Sequence, residues 1–294
     1  MYFLFESNEM INFLKYRYVC FAVSSIFLLS GVAAYFYHGG LQYSVDFTGG
    51  TQVLLKCDKS VGSEQIKNAL ADNGWADSVV LEFGNNEVAV RVKEFSHDAQ
   101  GLAQKIQIGL NQTLQMNAEI LEANAVGAGV GGSLRASSLF ALLFCLLVML
   151  GYIAWRSWSV AFGVGAVVAL LHDALATLAL FAILQKEISP IVVSGLIALL
   201  GYSINDTIVI FSRIKENFGK IHGSSADKIV DVSINQTLRR TMLTSFSTLL
   251  TVAALFFLGG ESLHTWSLVL LFGIVVGTYS SVYIASPVML ALRR

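Results

Sequence analysis

Two aspartates, Asp173 and Asp206, lie inside long apolar stretches of the chain. At the centre of a membrane an ionisable side chain costs about 2.5–3.5 kcal/mol on insertion scales, so such residues are rare without a function. Asp206 precedes Arg213 by seven residues, which is about 10 Å along a helix. An aspartate is too short to reach the membrane surface from there. We therefore expect Asp206 to pair with Arg240, or failing that with Arg239, at the start of a later apolar stretch.

A carboxylate that can lose its arginine partner is a candidate proton switch. It releases its proton readily beside the cation and retains it when the cation moves away and the site is dry. Tyr202 and Ser203 precede Asp206 by four and three residues, so on a helix they share its face and are expected to line the same passage. The alternative is a permanent ion pair between Asp206 and Arg240 that only holds two helices together.

A stripe of threonines runs through the stretch that contains Arg240. Spacings of 4, 3, 4 and 3 residues place five hydroxyls on one face of a helix. They could line a file of water molecules, and Thr244 and Thr248 are assigned to the proton pathway on this ground. In the alternative reading the hydroxyls bond their own backbone and allow close helix packing. The stripe consists of Thr237, Thr241, Thr244, Thr248 and Thr251.

Asp173 is a weaker member of the predicted relay, because a polar contact between helices explains it equally well. His172 is adjacent, and successive residues of a helix point about 100° apart, so we do not expect the two to work as one unit. His172 is interpreted as a hydrogen-bonded packing residue. Gly273 and Gly277 form a GxxxG pattern, which favours close approach of another helix.

Enzyme and metal-site signatures are missing from the sequence, and we expect no enzymatic activity. It contains no HExxH, GxSxG, GxxxxGK[ST] or GxGxxG motif after a strand. Asp206 follows Gly-Tyr-Ser-Ile-Asn, which differs from the Gly-x-Gly-Asp of intramembrane aspartyl proteases. The cysteines Cys20, Cys57 and Cys145 have no metal-ligand spacing. With a net charge of −1, the chain is not expected to bind nucleic acid.

The composition predicts an integral membrane protein. Of the 294 residues 55% are hydrophobic and 13% are charged, whereas soluble domains carry about 25% charged residues. A spanning helix needs roughly 20 predominantly apolar residues. Six stretches meet this requirement: 18–37, 136–155, 157–185, 188–212, 241–260 and 262–292.

The positions of Lys and Arg predict the orientation. Basic residues beside short loops fall on one side of the membrane, whereas the other side has only Lys186. Both termini are therefore expected in the cytoplasm. The predicted parts are a cytoplasmic tail (1–17), a first span (18–37), a periplasmic domain (38–133) and five further spans (134–294) with a cytoplasmic loop at 213–240.

Periodicity within 38–133 predicts strands and helices in the order β-α-β-β-α-β. The full fold prediction is an all-α transmembrane bundle of six helices with an α+β, ferredoxin-like domain between helices 1 and 2. Its strands are expected at 52–57, 78–83, 87–93 and 118–126, with helices at 63–73 and 96–114 and a turn at 84–86. The segment Asp46, Phe47, Thr48, Gly49, Gly50 is predicted to be a structural turn in which Asp46 caps amides and the glycines take positive φ. Glycines at 127–132 indicate a hinge or a passive linker.

Three motifs make the chain similar to the SecF branch of the SecD/SecF family over about residues 13–294. They are VDFTGGT at 45–51, GYSINDTIVI at 201–210 leading into RIKEN at 213–217, and NQTLRRT at 235–241. The first motif is shared with SecD proteins, whereas the other two in this order resemble SecF. Ser212 departs from the aspartate that many relatives carry, which affects a local loop contact.

The resemblance implies a subunit of the resistance-nodulation-division superfamily in the bacterial inner membrane. It implies a SecD-like partner, the SecYEG channel and YajC as neighbours, and a translocating preprotein as the substrate. Protons are the implied coupling ion, with no cofactor, and Asp206 and Arg240 take part in their transport. One proton crossing about 150 mV delivers roughly 3.5 kcal/mol, which is enough to bias a two-state domain.

Two other functions remain open at this point. Half of a proton-driven efflux transporter for small molecules or lipids, from the same superfamily, needs a substrate pocket in a larger exterior domain. A scaffold with inert charges predicts that Asp206→Asn is silent.

Overall fold

The computed structural model describes residues 10–59, 61–76, 78–82, 86–96, 98–157 and 159–293. The chain divides into two compact units, Tyr43–Leu139 and a helical unit formed by the remaining residues on both sides. The predictions for residues 1–9, for positions 83–85 of the predicted strand and turn, and for Arg294 lie outside the described residues.

The Tyr43–Leu139 unit contains an antiparallel sheet, two longer helices and a helix of one turn. In chain order, after α1 (Arg17–Tyr37) of the helical unit, the elements of this unit are α2 (Val45–Thr48), β1 (Gly50–Cys57), α3 (Ser63–Asp72), β2 (Val79–Glu82), β3 (Glu87–Val92), α4 (Ala99–Leu114) and β4 (Ala118–Val126). The strands lie in the order β2-β3-β1-β4, with Val53 of β1 opposite Val90 of β3 and Ala123 of β4.

This element order is the order predicted from periodicity. Alternate residues of β1 point into a core that also contains Ile66 of α3 and Ile106 of α4. The helix predicted from residue 96 begins at Ala99, because the Asp98 side chain accepts a hydrogen bond from the Gly101 amide at 2.9 Å and caps it. The helix predicted at 63–73 is α3, in which Ser63 is the first helical residue and Gly62 occupies the cap position.

The helical unit confirms the six apolar helices. Six candidate spans are found among the described residues, from Phe13–Tyr37 to Leu263–Arg293. Pro190 at the first turn and the Ser189 side chain, which accepts from the Val192 amide, define one of the helix starts. The elements are α5 (Ala128–Ser157), α6 (Val160–Ile183), α7 (Pro190–Lys220), α8 (Ala226–Leu258), α9 (Glu261–Ser280), a π-helical turn (Ser281–Ala285) and α10 (Ser286–Arg293).

Two segments predicted as loop or linker are helical. Most of residues 213–240 belongs to α7 and α8, which extend beyond the apolar runs. Charged residues do not end a helix, so hydropathy marks the predicted span but not the helix end. The glycine tract at 127–132 likewise enters α5 at Ala128. A Cβ on Gly131 would lie 3.1 Å from the Asp46 carbonyl oxygen, so this glycine permits close backbone packing.

The core of the helical unit is formed by α6, α7 and the last span, which consists of α9, the π-helical turn and α10. In the most apolar stretch of each of these helices, 56%, 50% and 56% of the residues are buried, compared with 11%, 11% and 17% for α1, α5 and α8. One continuous hydrophobic cluster joins the three central helices and includes Phe162, Leu200 and Met289. Both buried aspartates lie on these central helices, Asp173 on α6 and Asp206 on α7.

Candidate functional site

Asp206 is 4% exposed and contacts α8. Its Oδ2 accepts a hydrogen bond from the Ser245 hydroxyl at 3.3 Å. Ser245 in turn lies 2.8 Å from the Thr278 hydroxyl, and either hydroxyl can be the donor. Asp206 therefore begins a short chain of hydroxyls that connects α7, α8 and the last span.

The predicted contact between Asp206 and Arg240 is not made. Among the ion pairs of the described residues, none joins Asp206 to an arginine, and both Arg239 and Arg240 are exposed. Arg240 precedes Ser245 by five residues, so their side chains point roughly 140° apart on α8. Arg240 is nevertheless close enough to interact electrostatically with Asp206.

Tyr202 and Ser203 do not bond to Asp206. The Ser203 hydroxyl donates to Asp173 at 2.6 Å, because three residues along a helix turn the side chain about 60° away from Asp206 and toward α6. The buried Tyr202 hydroxyl has no hydrogen-bond partner among the described residues. Of the two residues predicted to line the Asp206 passage, Ser203 therefore bonds Asp173 instead of Asp206.

The threonine stripe bonds mainly to its own helix. Thr244 donates to the Arg240 and Thr241 carbonyls, and Thr248 donates to the Thr244 carbonyl. The Thr241 hydroxyl is buried without a partner among the described residues. These backbone bonds are those expected if the stripe serves helix packing.

Asp173 is fully buried and is the centre of a larger hydrogen-bond network. Its Oδ2 accepts from the hydroxyls of Ser203 on α7 at 2.6 Å and Ser280 on α9 at 2.9 Å. Its Oδ1 lies 3.1 Å from Nδ1 of His172. Two donors and a ring nitrogen therefore satisfy a carboxyl that would otherwise be costly to bury.

The expectation that the side chains of His172 and Asp173 point apart is wrong, because they are within hydrogen-bond distance of each other. The backbone directions of adjacent residues diverge, but both side chains are long enough to turn toward each other. His172 Nε2 lies 3.1 Å from the Ser24 hydroxyl on α1, and Ser24 lies 3.0 Å from the Tyr279 hydroxyl. Tyr279 donates to the Cys20 carbonyl at 2.7 Å. The network thus extends from α6 to α1.

Gly273 and Gly277 let α7 approach the last span, as the GxxxG pattern favours. A Cβ on Gly273 would lie 2.3 Å from Leu199, and one on Gly277 would lie 2.9 Å from Ser203 and 3.4 Å from the Asp173 carboxylate. Any larger residue at 277 would therefore push Ser203 away from Asp173.

The Asp46–Gly50 segment, which lies in the other unit, was predicted as a turn and consists of the end of the one-turn helix α2, the Gly49 cap and the first residue of β1. Gly49 and Gly50 have φ of 78° and 125°, and a Cβ on Gly50 would lie 2.5 Å from the Val92 carbonyl oxygen. Phe47 is buried, and Thr48 donates to the Ser44 carbonyl. Among the described residues Asp46 accepts from the Ser44 hydroxyl instead of capping an amide.

Sequence reasoning missed the hydroxyl partners Ser245, Thr278 and Ser280. The available signal was the run Thr-Tyr-Ser-Ser at 278–281 within an otherwise apolar span. Among the described residues, no group of three or more His, Cys, Asp or Glu side chains could hold a metal ion. The chemistry that the arrangement supports is movement of protons between carboxyls and hydroxyls.

Comparison with protein families gives two matches along the chain. Residues 106–294 match the C-terminal region of the protein export membrane proteins SecD and SecF, and residues 36–61 match the SecD/SecF GG motif. The second match includes the Asp46–Gly50 turn.

Individual relatives are similar over nearly the whole chain. The protein translocase subunit SecF of Thermodesulfovibrio yellowstonii is 36% identical over 97% of this chain and 95% of its own length. The SecF of Vibrio alginolyticus is 38% identical over 99% and 93%, respectively. The crystal structure of SecDF, a translocon-associated membrane protein from Thermus thermophilus, matches with a TM-score of 0.89 and 32% identity over 99% of this chain. This chain spans 40% of the SecDF chain.

Proposed function

The chain belongs to the SecF branch of the SecD/SecF family of protein export membrane proteins, and we propose that it uses the proton-motive force together with a SecD-like subunit. In this proposal the complex assists preprotein translocation through the SecYEG channel, with YajC as a further neighbour. Membership of the family makes the chain a multi-pass membrane protein and an accessory subunit of the Sec translocase.

The observation that carries the proton role is the buried Asp206, which has one hydroxyl partner and an arginine nearby but not in contact. A carboxyl in a dry site favours its neutral form unless a cation approaches. Movement of Arg240 toward or away from Asp206 would therefore load or release a proton. The threonines Thr244 and Thr248 follow Arg240 on α8 and line the side of the proposed route, with their hydroxyls bonded to the helix backbone, and Asp173 is a secondary member.

A SecD-like chain is the proposed partner because this chain accounts for only 40% of the SecDF chain that it resembles. The α8 residues Arg240, Ser247 and Thr251 are exposed in the isolated chain. Polar side chains at membrane depth normally face protein or a water-filled cavity. We infer that the SecD-like subunit covers this side of α8.

We also propose a bacterial inner-membrane location with both termini in the cytoplasm and the Tyr43–Leu139 unit, as a ferredoxin-like domain, in the periplasm. The support is the distribution of Lys and Arg beside the short loops. Single cysteines in a cysteine-free background test it. A membrane-impermeant thiol reagent should label Lys105→Cys in intact spheroplasts and should leave Lys220→Cys unlabelled until the membrane is opened. The opposite labelling would reverse the orientation.

The proton role is tested with Asp206→Asn, Arg240→Met and the double variant in vesicles that contain the complete complex. Proton flux and gradient-dependent export should be lost in both single variants, because neither retains the switch. Asp206→Asn should assemble normally, since a neutral amide is cheaper to bury than an unpaired carboxylate.

The control is Glu216→Gln, which removes an exposed carboxylate from the same helix and should leave flux and export unchanged. Recovery of export in the double variant would instead show that the two charges only compensate each other and that neither carries a proton step. Full activity of Asp206→Asn would remove the proton role and favour the scaffold.

A further inference from the structure

The last membrane span changes from α-helix to π-helix at Ser281, and residues 278–281, here called the junction segment, are all hydroxyl-bearing. Each residue of the junction segment forms a hydrogen bond with a different helix. Thr278 bonds Ser245 on α8, Tyr279 bonds Ser24 on α1, Ser280 bonds Asp173 on α6, and Ser281 bonds Thr207 on α7.

Helix geometry explains how four neighbours can reach four helices. Successive residues point about 100° apart, so four of them cover most of the circumference. The Ser286 hydroxyl donates to the Ser281 carbonyl, five residues earlier, at 3.0 Å. Single π-turns within α-helices occur frequently at functional sites. A rotation of the last span at this junction would change its bonds to all four helices together.

Ser245 lies between Asp206 and Thr278 of the junction segment. A serine or threonine hydroxyl can donate only one hydrogen bond, so the direction in which Ser245 donates affects Thr278. When Asp206 is ionised, Ser245 donates to it and accepts from Thr278. When Asp206 is protonated, the Ser245 hydrogen is free to turn to Thr278, and Thr278 then donates to the Ile274 carbonyl at 2.8 Å. The protonation of Asp206 therefore sets the direction in which Thr278 donates.

A hydroxyl near Asp173 also has two alternative acceptors. The Ser280 hydroxyl lies within reach of both Asp173 Oδ2 and the Gly277 carbonyl, at 2.9 and 3.1 Å. Ser281 shares the Gly277 carbonyl at 2.9 Å and also contacts Thr207 at 2.9 Å. A small rotation can thus exchange the Asp173 bond for a backbone bond without leaving a hydroxyl unpaired.

We infer that the junction segment couples the two carboxyls, so that a change of protonation at Asp206 alters the hydrogen bonding of Asp173 through Thr278 and Ser280. The inference rests on the proposed proton role of Asp206 and adds positioning residues to it. Thr278 and Ser280 act through the carboxyls and are not themselves proton carriers across the membrane.

Few charged or titratable groups of the described residues face this region. Arg240 on α8 acts on Asp206. His172 on α6 contacts Asp173. Tyr279 of the last span is connected to His172 through the Ser24 hydroxyl of α1. The Cys20 carbonyl on α1 receives the Tyr279 hydroxyl. From α7 the contacts to the junction segment and to Asp173 are hydroxyls.

The coupling is tested by infrared difference spectroscopy on the complete complex in vesicles, with the pH as the variable. The carboxyl band of each aspartate is assigned by its loss in Asp206→Asn or Asp173→Asn. Ser280→Ala removes a hydroxyl that touches Asp173 but not Asp206. We expect it to shift the Asp206 band, to change the proton affinity of Asp206 by about 5-fold or more, the lower range of measured couplings, and to slow proton flux.

The reciprocal variant is Thr278→Val, which keeps the shape of the side chain and removes the hydroxyl. It should shift the Asp173 band, and Thr278→Ser, which restores the hydroxyl, should return the band to its original position. Ser194→Ala is the control, because the Ser194 hydroxyl on α7 is exposed and bonds its own backbone.

The inference is overturned if Ser280→Ala changes only the Asp173 band and Thr278→Val changes only the Asp206 band. Reciprocal shifts together with an active Asp206→Asn variant would support the coupling and reject the proposed proton role. The two ideas can therefore fail separately, and either variant alone suffices if the other does not assemble.

Discussion

Asp173 and Asp206 are buried carboxyls on neighbouring helices of one core, but their surroundings differ. Asp173 is fully buried and has two hydroxyl donors and a histidine nitrogen within 3.1 Å. Asp206 retains 4% exposure and has one hydroxyl partner at 3.3 Å. A carboxyl with several short bonds is part of the packing, whereas one with a single long bond can change partners at small cost.

The difference also explains why the two sites are suited to different work. Asp173 is bonded by hydroxyls from two other helices, Ser203 on α7 and Ser280 on α9, and by His172 of its own helix, so it loses all its partners only if several side chains move. The bond to Asp206 comes from Ser245, which has an alternative partner in Thr278. In the proposed proton cycle, Asp206 would therefore be the better proton acceptor and Asp173 the better sensor of helix position.

The largest effect is expected when both carboxyls are replaced by leucine, one at a time. Asp173→Leu removes the partner of the Ser203 hydroxyl and of His172 Nδ1, whereas Ser280 can turn to the Gly277 carbonyl, and each unsatisfied buried group costs about 1–3 kcal/mol. Asp206→Leu strands only Ser245, which can turn to Thr278. Thermal unfolding of the purified complex should show a much larger loss for Asp173→Leu. Equal losses would mean that the number of hydrogen bonds does not distinguish the two sites.

A smaller effect is expected from Gly277→Val, which disturbs the Asp173 site without changing its polar groups. The added Cβ would lie 2.9 Å from Ser203, and overpacking of this kind costs about 1–3 kcal/mol. We expect lower thermal stability and loosened α7 packing, measured by hydrogen exchange. Gly201→Val on α7 is the matched control, because a Cβ there has no neighbour within 4 Å. Equal destabilisation by both variants would contradict the close approach at residue 277.

The smallest effect is expected from Thr244→Val and Thr248→Val. Their hydroxyls bond the backbone of α8, so their removal leaves no side chain unpaired. Proton flux should fall by less than about twofold, which corresponds to roughly 0.4 kcal/mol. A tenfold loss in either variant would show that the stripe carries protons and that Asp206 depends on more than Ser245 and Thr278.

Local patterns were sufficient for the elements of the fold. Apolar runs predicted six helices because the cost of membrane burial depends on each segment's own composition. Alternation at Val53, Leu55 and Cys57 predicted β1 because the two faces of a strand meet different surroundings. Cys57 is buried in the core, and this burial raises the pKa of its thiol above the usual range.

The site was only partly predictable for the same reason. Asp206 and Asp173 stood out because a charge in an apolar run is visible from sequence alone. Their partners were not, because the bond of Ser203 to Asp173, the outward direction of Arg240 and the approach of Ser245 depend on how each helix is rotated about its axis. For α7 and the last span, the close approach of Gly273 to Leu199 and of Gly277 to Ser203 restricts that rotation.

The sequence by itself determined which segments cross the membrane, the strand and helix order of the Tyr43–Leu139 unit, and which residues are costly to bury, since these follow from composition and short-range spacing. The tertiary structure decided which hydroxyl serves which carboxyl and how the junction segment joins four helices. Adjacent residues of a helix point about 100° apart, and a periodic sequence pattern does not define the rotation of a helix finely enough to identify its polar partners. Only the packed helices select one set of partners.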